Sequence, residues 1–196
     1  MISRRALLLF AAAIPLALSA CETVPPPPSK PSLTFAHLGA FRLTVSKVDV
    51  VSAYKAPLAA PNVEHLMSIS PEQAARIWAK DRLAAAGGPL RAEFKITEAP
   101  VVETELKTDK SFSGMFKKEQ AYRYNGQLSV ELSIKDDRGM TVASAEAKAS
   151  RSQTVPEDVT LNQRDQVWYE ISESLIKEID ARLTENIRTY MASYIR

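Results

Sequence analysis

Cysteine is nearly absent: the 196 residues contain one, Cys21. Beyond that position the chain can build no disulfide, no thiolate nucleophile and no cysteine metal site. Histidine is scarce as well. His37 and His65 stand alone in loop-like sequence, without a companion at metal-ligand spacing, so neither a metal nor a cofactor is expected. An excess of one charge sign is also missing. The formal net charge is +2, which leaves no electrostatic footprint for nucleic acid. No apolar run reaches the roughly 20 residues that a membrane-spanning helix needs. There is no Gly-x-Ser-x-Gly elbow, phosphate loop or dinucleotide fingerprint. Glu98, Glu103 and Glu105 come nearest to a carboxylate cluster. Glu103 and Glu105 would share a strand face, where charge keeps a sheet edge soluble. Enzymatic activity is not expected.

What is present begins at the N-terminus. Arg4-Arg5 precedes an apolar run from Ala6 to Ala17, followed by Leu18-Ser19-Ala20-Cys21. Two positive charges, a short apolar stretch and a small-residue site make a secretory signal. The last four residues resemble the bacterial lipobox: Leu, a small or polar residue, Ala or Gly, then Cys. That resemblance implies cleavage before Cys21, a diacylglyceryl group on its sulfur and an acyl chain on its nitrogen. One acyl chain anchors marginally, whereas two or more hold stably. Glu22 follows the cysteine. By the sorting pattern of such lipoproteins, that favours the periplasmic face of the outer membrane, with the outer leaflet of the inner membrane as the alternative. Ser3-Arg4-Arg5 also resembles a twin-arginine signal, so the export route stays open between that and the general secretory path.

Residues 1–20 thus read as a lipoprotein signal peptide, 21–34 as a tether and 35–196 as a single domain. Losing Arg4 and Arg5 with the signal takes the net charge from +2 to zero. The mature chain then has no electrostatic attraction to an anionic bilayer. Pro25 to Pro28, with Pro31, favours polyproline II, a semi-rigid spacer rising about 3.1 Å per residue.

In the domain, Phe41, Leu43 and Val45 alternate with polar residues, and Val48, Val50 and Val51 continue out of phase. This predicts a strand with a bulge near Ser46-Lys47. Ser70-Pro71-Glu72-Gln73 is a capping box with proline at the first helical position. The helix it starts carries Ala74, Ala75, Ile77, Trp78 and Leu83, and is expected to stop at Gly87-Gly88-Pro89. A second strand then begins with Leu90, Ala92, Phe94 and Ile96, breaks near Pro100 and resumes at Val101. From Tyr122 to Lys135 one face carries Tyr122, Tyr124, Leu128, Val130, Leu132 and Ile134, and the other is polar. Such alternation predicts a sheet with one face on a core and one in water. Asp136-Asp137-Arg138-Gly139 predicts a hairpin turn. On the return strand Ala143, Ala145, Ala147 and Ala149 share a face against which a helix can pack closely. A closing helix is expected from about Asn162 to Ile195, with Trp168, Ile171, Leu175, Ile179, Leu183, Ile187, Tyr190 and Tyr194 as its apolar stripe.

The expected fold is α+β: a two-layer sandwich of about four mostly antiparallel strands with two helices on one face, in the order β-α-β-β-β-α. Lipobox, short tether, this element order and the closing helix around Trp168-Tyr169-Glu170-Ile171 resemble small proteobacterial envelope lipoproteins. The lipopolysaccharide-assembly lipoprotein LptE and the auxiliary lipoproteins of lipid-moving ABC transporters are the relevant types. The resemblance implies a non-enzymatic accessory subunit held at a membrane by its N-terminal lipid, with an envelope protein as partner. A carrier of lipids or other hydrophobic ligands is the alternative.

The connection around Phe112, Met115 and Phe116 is longer than most hairpin loops. Apolar residues around a glycine and ringed by lysines suit insertion into a partner or a bilayer interface; folding back over an open end of the sandwich would also place them. With the solvent face of the sheet, this loop is the expected contact surface.

Overall fold

The computed structural model describes residues 32–107 and 120–196. Five strands and two long helices form an α+β sandwich: β1 (Phe41–Ser52), α1 (Pro71–Arg82), β2 (Leu83–Glu98), β3 (Val101–Glu105), β4 (Gln120–Lys135), β5 (Thr141–Pro156) and α2 (Leu161–Tyr190). β2 and β3 lie end to end along one side of β4: Arg91 to Glu98 pair with Lys135 to Ser129, and Val101 to Glu105 pair with Gly126 to Tyr122. The break falls at Ala99-Pro100, as proline's missing N–H demands. Counted this way the sheet is four strands wide, and its β2–β4, β3–β4 and β4–β5 pairings are antiparallel. β1 is parallel to β2, because α1 carries the chain back between them as a crossover.

Local chemistry accounts for most boundaries. The Ser70 hydroxyl accepts from the Gln73 N–H while the Gln73 side chain accepts from the Ser70 N–H, and Pro71 occupies the first turn. Thr160 and Gln163 make the same reciprocal pair at the start of α2, a cap not anticipated from the sequence. In the β4–β5 turn, the Asp136 carboxylate accepts from the Arg138 and Met140 N–H groups.

Two expected boundaries are corrected. α1 ends at Arg82, and Gly87-Gly88-Pro89 lies inside β2 rather than at a helix stop. There the β1–β2 register slips between Leu43 and Val45. Gly88 takes φ +132, and a Cβ on it would stand 2.6 Å from the Thr44 carbonyl oxygen. The glycine thus serves a strand irregularity and a close backbone approach. α2 ends at Tyr190, which is exposed. Ala192–Tyr194 is a 3-10 turn, and Ile195 bridges to Leu43 of β1. The helical part of the expected stripe therefore stops at Ile187, while Tyr194 still packs half-buried against the core from the 3-10 turn.

α2 lies over β4 and β5. The buried Ala145, Ala147 and Ala149 give it a shallow bed. Gly126 deepens that bed, since a Cβ there would come within 2.7 Å of Ile171 and 3.0 Å of Leu175. One core runs through the sandwich, with Trp78, Phe94, Leu128, Leu132, Leu175 and Ile179 among its fully buried members.

Candidate functional site

Cys21, Phe112, Met115 and Phe116 lie outside the described residues. The strands flanking positions 107 and 120 are β3 and β4, paired antiparallel, and the Leu106 N–H donates to the Ala121 carbonyl at 2.7 Å. The first turns of α2 sit at this same end. Arg164 lies 5.8 Å over the Tyr122 ring, and Trp168 meets Tyr124 edge-on at 5.7 Å between centroids. Among the described residues, the buried Nε groups of Arg164 and Trp168 have no hydrogen-bond partner. Such groups are uncommon in a finished interior and call for an explanation.

The three glutamates of interest do not converge. Glu103 stands opposite Tyr124 and accepts its hydroxyl at 2.7 Å on the helix side. Burial and this carboxylate push the Tyr124 hydroxyl well above its usual range. Glu98 accepts from the Ser129 hydroxyl at 3.0 Å on the opposite face, and Glu105 is exposed. They are not a carboxylate pair.

Glu64, in the 3-10 turn Glu64–Leu66, is a buried carboxylate that sequence reading missed. Its Oε1 accepts the Tyr54 hydroxyl at 2.5 Å, its Oε2 accepts the Val101 N–H at 3.1 Å, and Asn62 Nδ2 reaches both oxygens. Burial alone would raise its pKa, but the donors outweigh it and hold the carboxyl below the usual range. Burial, reinforced by Glu64, pushes the Tyr54 hydroxyl far up. A cleft of about 330 Å³ opens beside them, lined in part by His65, Glu72 and Arg76. An ionised, fully engaged carboxylate is a poor proton donor at neutral pH and offers no open acceptor. The group therefore clasps the loop to β3.

A second buried cluster joins the helices. Arg82 Nε and Trp78 Nε1 both donate to Asp180 Oδ1, at 3.0 and 2.7 Å. Arg82 also donates to the carbonyls of Leu38 and Gly39 and to the Thr184 hydroxyl, and its guanidinium covers the Phe41 ring at 4.7 Å. These contacts lock α1, α2 and the entry to β1 together.

The sheet face away from the helices was expected to be polar and solvated, and it is polar. Lys135 pairs with Glu93 at 2.8 Å, and Lys95 lies between Glu93 and Glu131 at 3.7 and 3.6 Å. The Lys135 ammonium lowers the Glu93 pKa most. Ser129 and Ser133 are nonetheless buried, flanked by these longer side chains on the neighbouring strands. Among the described residues no group of three or more His, Asp or Glu could hold a metal, and no helix is long and apolar enough to cross a membrane.

No family model matches the chain, and no curated protein does. Among solved structures, it is similar to a minor lipoprotein from Acinetobacter baumannii at 14% identity and TM-score 0.41, over 76% of this chain and 96% of that one. It is similar to rare lipoprotein B from Shewanella oneidensis at 11% identity and TM-score 0.37, over 73% and 95%. A Xanthomonas campestris protein of family DUF330 aligns at 8% identity and TM-score 0.30, over 76% and 88%.

Proposed function

We propose that this chain is a lipid-anchored envelope lipoprotein, held at the periplasmic face of the outer membrane, that acts as a non-enzymatic, partner-binding subunit of an assembly or transport complex. The observation that carries the reading is the sole cysteine, placed directly after Leu18-Ser19-Ala20. Acylation there supplies the attachment that a mature chain of zero net charge does not obtain electrostatically.

The packing favours partner binding over lipid carriage. Gly126 and the alanines of β5 let α2 settle directly onto the sheet, filling the space between layers where acyl chains would have to lie. The contact end is the β3–β4 connection with Phe112, Met115 and Phe116. Against Tyr122 and Tyr124 of β4, the N–H groups of Arg164 and Trp168, unpaired among the described residues, offer donors to an incoming acceptor. The charge ladder of the open sheet face is already internally paired, so it contributes less.

The test is crosslinking in native membranes followed by affinity capture, comparing wild type with Phe112→Ser/Phe116→Ser. Loss of a specific envelope protein from the variant supports the reading. An unchanged set of crosslinked partners removes the loop from it.

A further inference from the structure

The sheet treats its edges unequally. Along β3, the Val63 N–H donates to Val101 and the Glu103 N–H donates to Pro61, so the Pro61–Val63 loop acts as an extra strand. At the start of β1, Ile195 bridges to Leu43 and the Arg196 N–H donates to Arg42. β5, 16 residues long, pairs only with β4 among the described residues. No proline interrupts it before Pro156. Among the described residues no backbone covers this edge, and an edge of this length without a neighbouring strand is a template for another.

The orientation of that edge is fixed by one hydrogen bond. The Glu146 carbonyl accepts from Asn186 Nδ2 of α2 at 2.7 Å, so it faces away from β4. Peptide groups alternate sides along an antiparallel strand, which puts the N–H and C=O of Ser144, Glu146, Lys148 and Ser150 on the open edge. A groove of about 410 Å³ runs beside it, walled by Glu146, Ala147, Lys148 and, from α2, Arg182, Glu185 and Asn186.

The geometry points to a second copy of this chain as the occupant, its β5 pairing antiparallel with this β5 about a two-fold axis at Ala147. In that register Glu146 faces Lys148 of the second copy, Lys148 faces its Glu146, and Ser144 faces Ser150. Both charged side chains are exposed and neither makes an ion pair within the described residues. Glu146 already stands opposite Glu131 of β4, a like-charge neighbour that destabilises a sheet, so a lysine on its other flank offsets that repulsion. On the α2 wall Arg182, already paired with Glu178 at 2.7 Å, and Glu185, one turn on, would meet Glu185 and Arg182 across the same axis. Asn186 holds the Glu146 acceptor and Arg151 the Ser150 acceptor at 3.0 Å, until the Lys148 and Ser144 N–H groups of the second copy replace them. The interface is isologous, as two-fold pairing requires, and it does not depend on Cys21.

A charge-swap cycle tests this on the full chain in neutrally buoyant detergent, by sedimentation equilibrium, with circular dichroism to verify each fold. The wild type forms a reversible dimer. Glu146→Lys or Lys148→Glu alone places like charges together twice and weakens the dimer on the order of tenfold. The double exchange Glu146→Lys/Lys148→Glu restores it. A wild type that stays monomeric at on the order of 100 μM, single variants that dimerise as well as wild type, or a double variant no tighter than the singles each overturns the proposal.

Discussion

Arg82, the last residue of α1, holds Asp180 of α2 at 3.0 Å, with both side chains largely withdrawn from water. The Trp78 indole N–H shares the same carboxylate oxygen. Removing one member of a buried pair leaves the other charge uncompensated. Asp180→Ala is therefore expected to cost about 3 kcal/mol, a fall in Tm of roughly 10 °C for a domain this size. An apolar exchange of both members, Arg82→Met/Asp180→Leu, recovers much of the loss, although the Leu38 and Gly39 carbonyls still lose a donor. Thermal unfolding of the three variants decides this, and a single variant as stable as wild type would refute the role given to the pair.

Gly88 and Gly126 predict different kinds of damage. Gly88→Ala must place a side chain at φ +132 and against the Thr44 carbonyl, costing about 2 kcal/mol by backbone strain. Gly126→Ala presses on Ile171 and Leu175 and costs about 1–3 kcal/mol by overpacking. In a double variant with Ile171→Ala, which removes the Cγ2 methyl nearest that Cβ, the second loss shrinks relative to the single variant, and the first does not. Urea unfolding of the two single variants and the two doubles separates these causes.

Stability should fall at both ends of the pH scale. The folded pKa values of Glu64, Glu93 and Asp81 lie below their ordinary values. Their stabilisation is thus complete above the unfolded pKa and lost as pH drops through the folded one. The Tyr54 and Tyr124 pKa values are raised, so their contribution is complete below about pH 10 and declines above it. Glu64→Gln flattens the acid limb and Tyr54→Phe the alkaline limb in urea midpoints measured across pH. An acid limb of unchanged steepness in Glu64→Gln would contradict the assignment.

Elements specified by local pattern were legible in the sequence. The Ser70 capping box, the alternation from Tyr122 to Lys135, the Asp136 turn, the break at Pro100 and the alanine bed each depend on residues close in the chain. What was missed depends on distant partners. Gly87-Gly88 reads as a helix stop because the same residue pair suits a strand irregularity, and only Thr44, over 40 positions away, distinguishes the two. Tyr190 continues the helical period but has no sheet beneath it. Glu64 and Asp180 look like ordinary surface acids. Their donors, Val101, Tyr54, Arg82 and Trp78, come from other elements, and no local spacing announces them. The parallel β1–β2 pairing likewise follows from the crossover by α1, not from either strand.

Acylation at Cys21 is read out by intact and peptide mass spectrometry of the chain isolated from bacterial membranes. The expected mature N-terminus is Cys21, carrying a diacylglyceryl thioether and an N-linked acyl chain. An unmodified Cys21, or a mature chain beginning elsewhere, would contradict it.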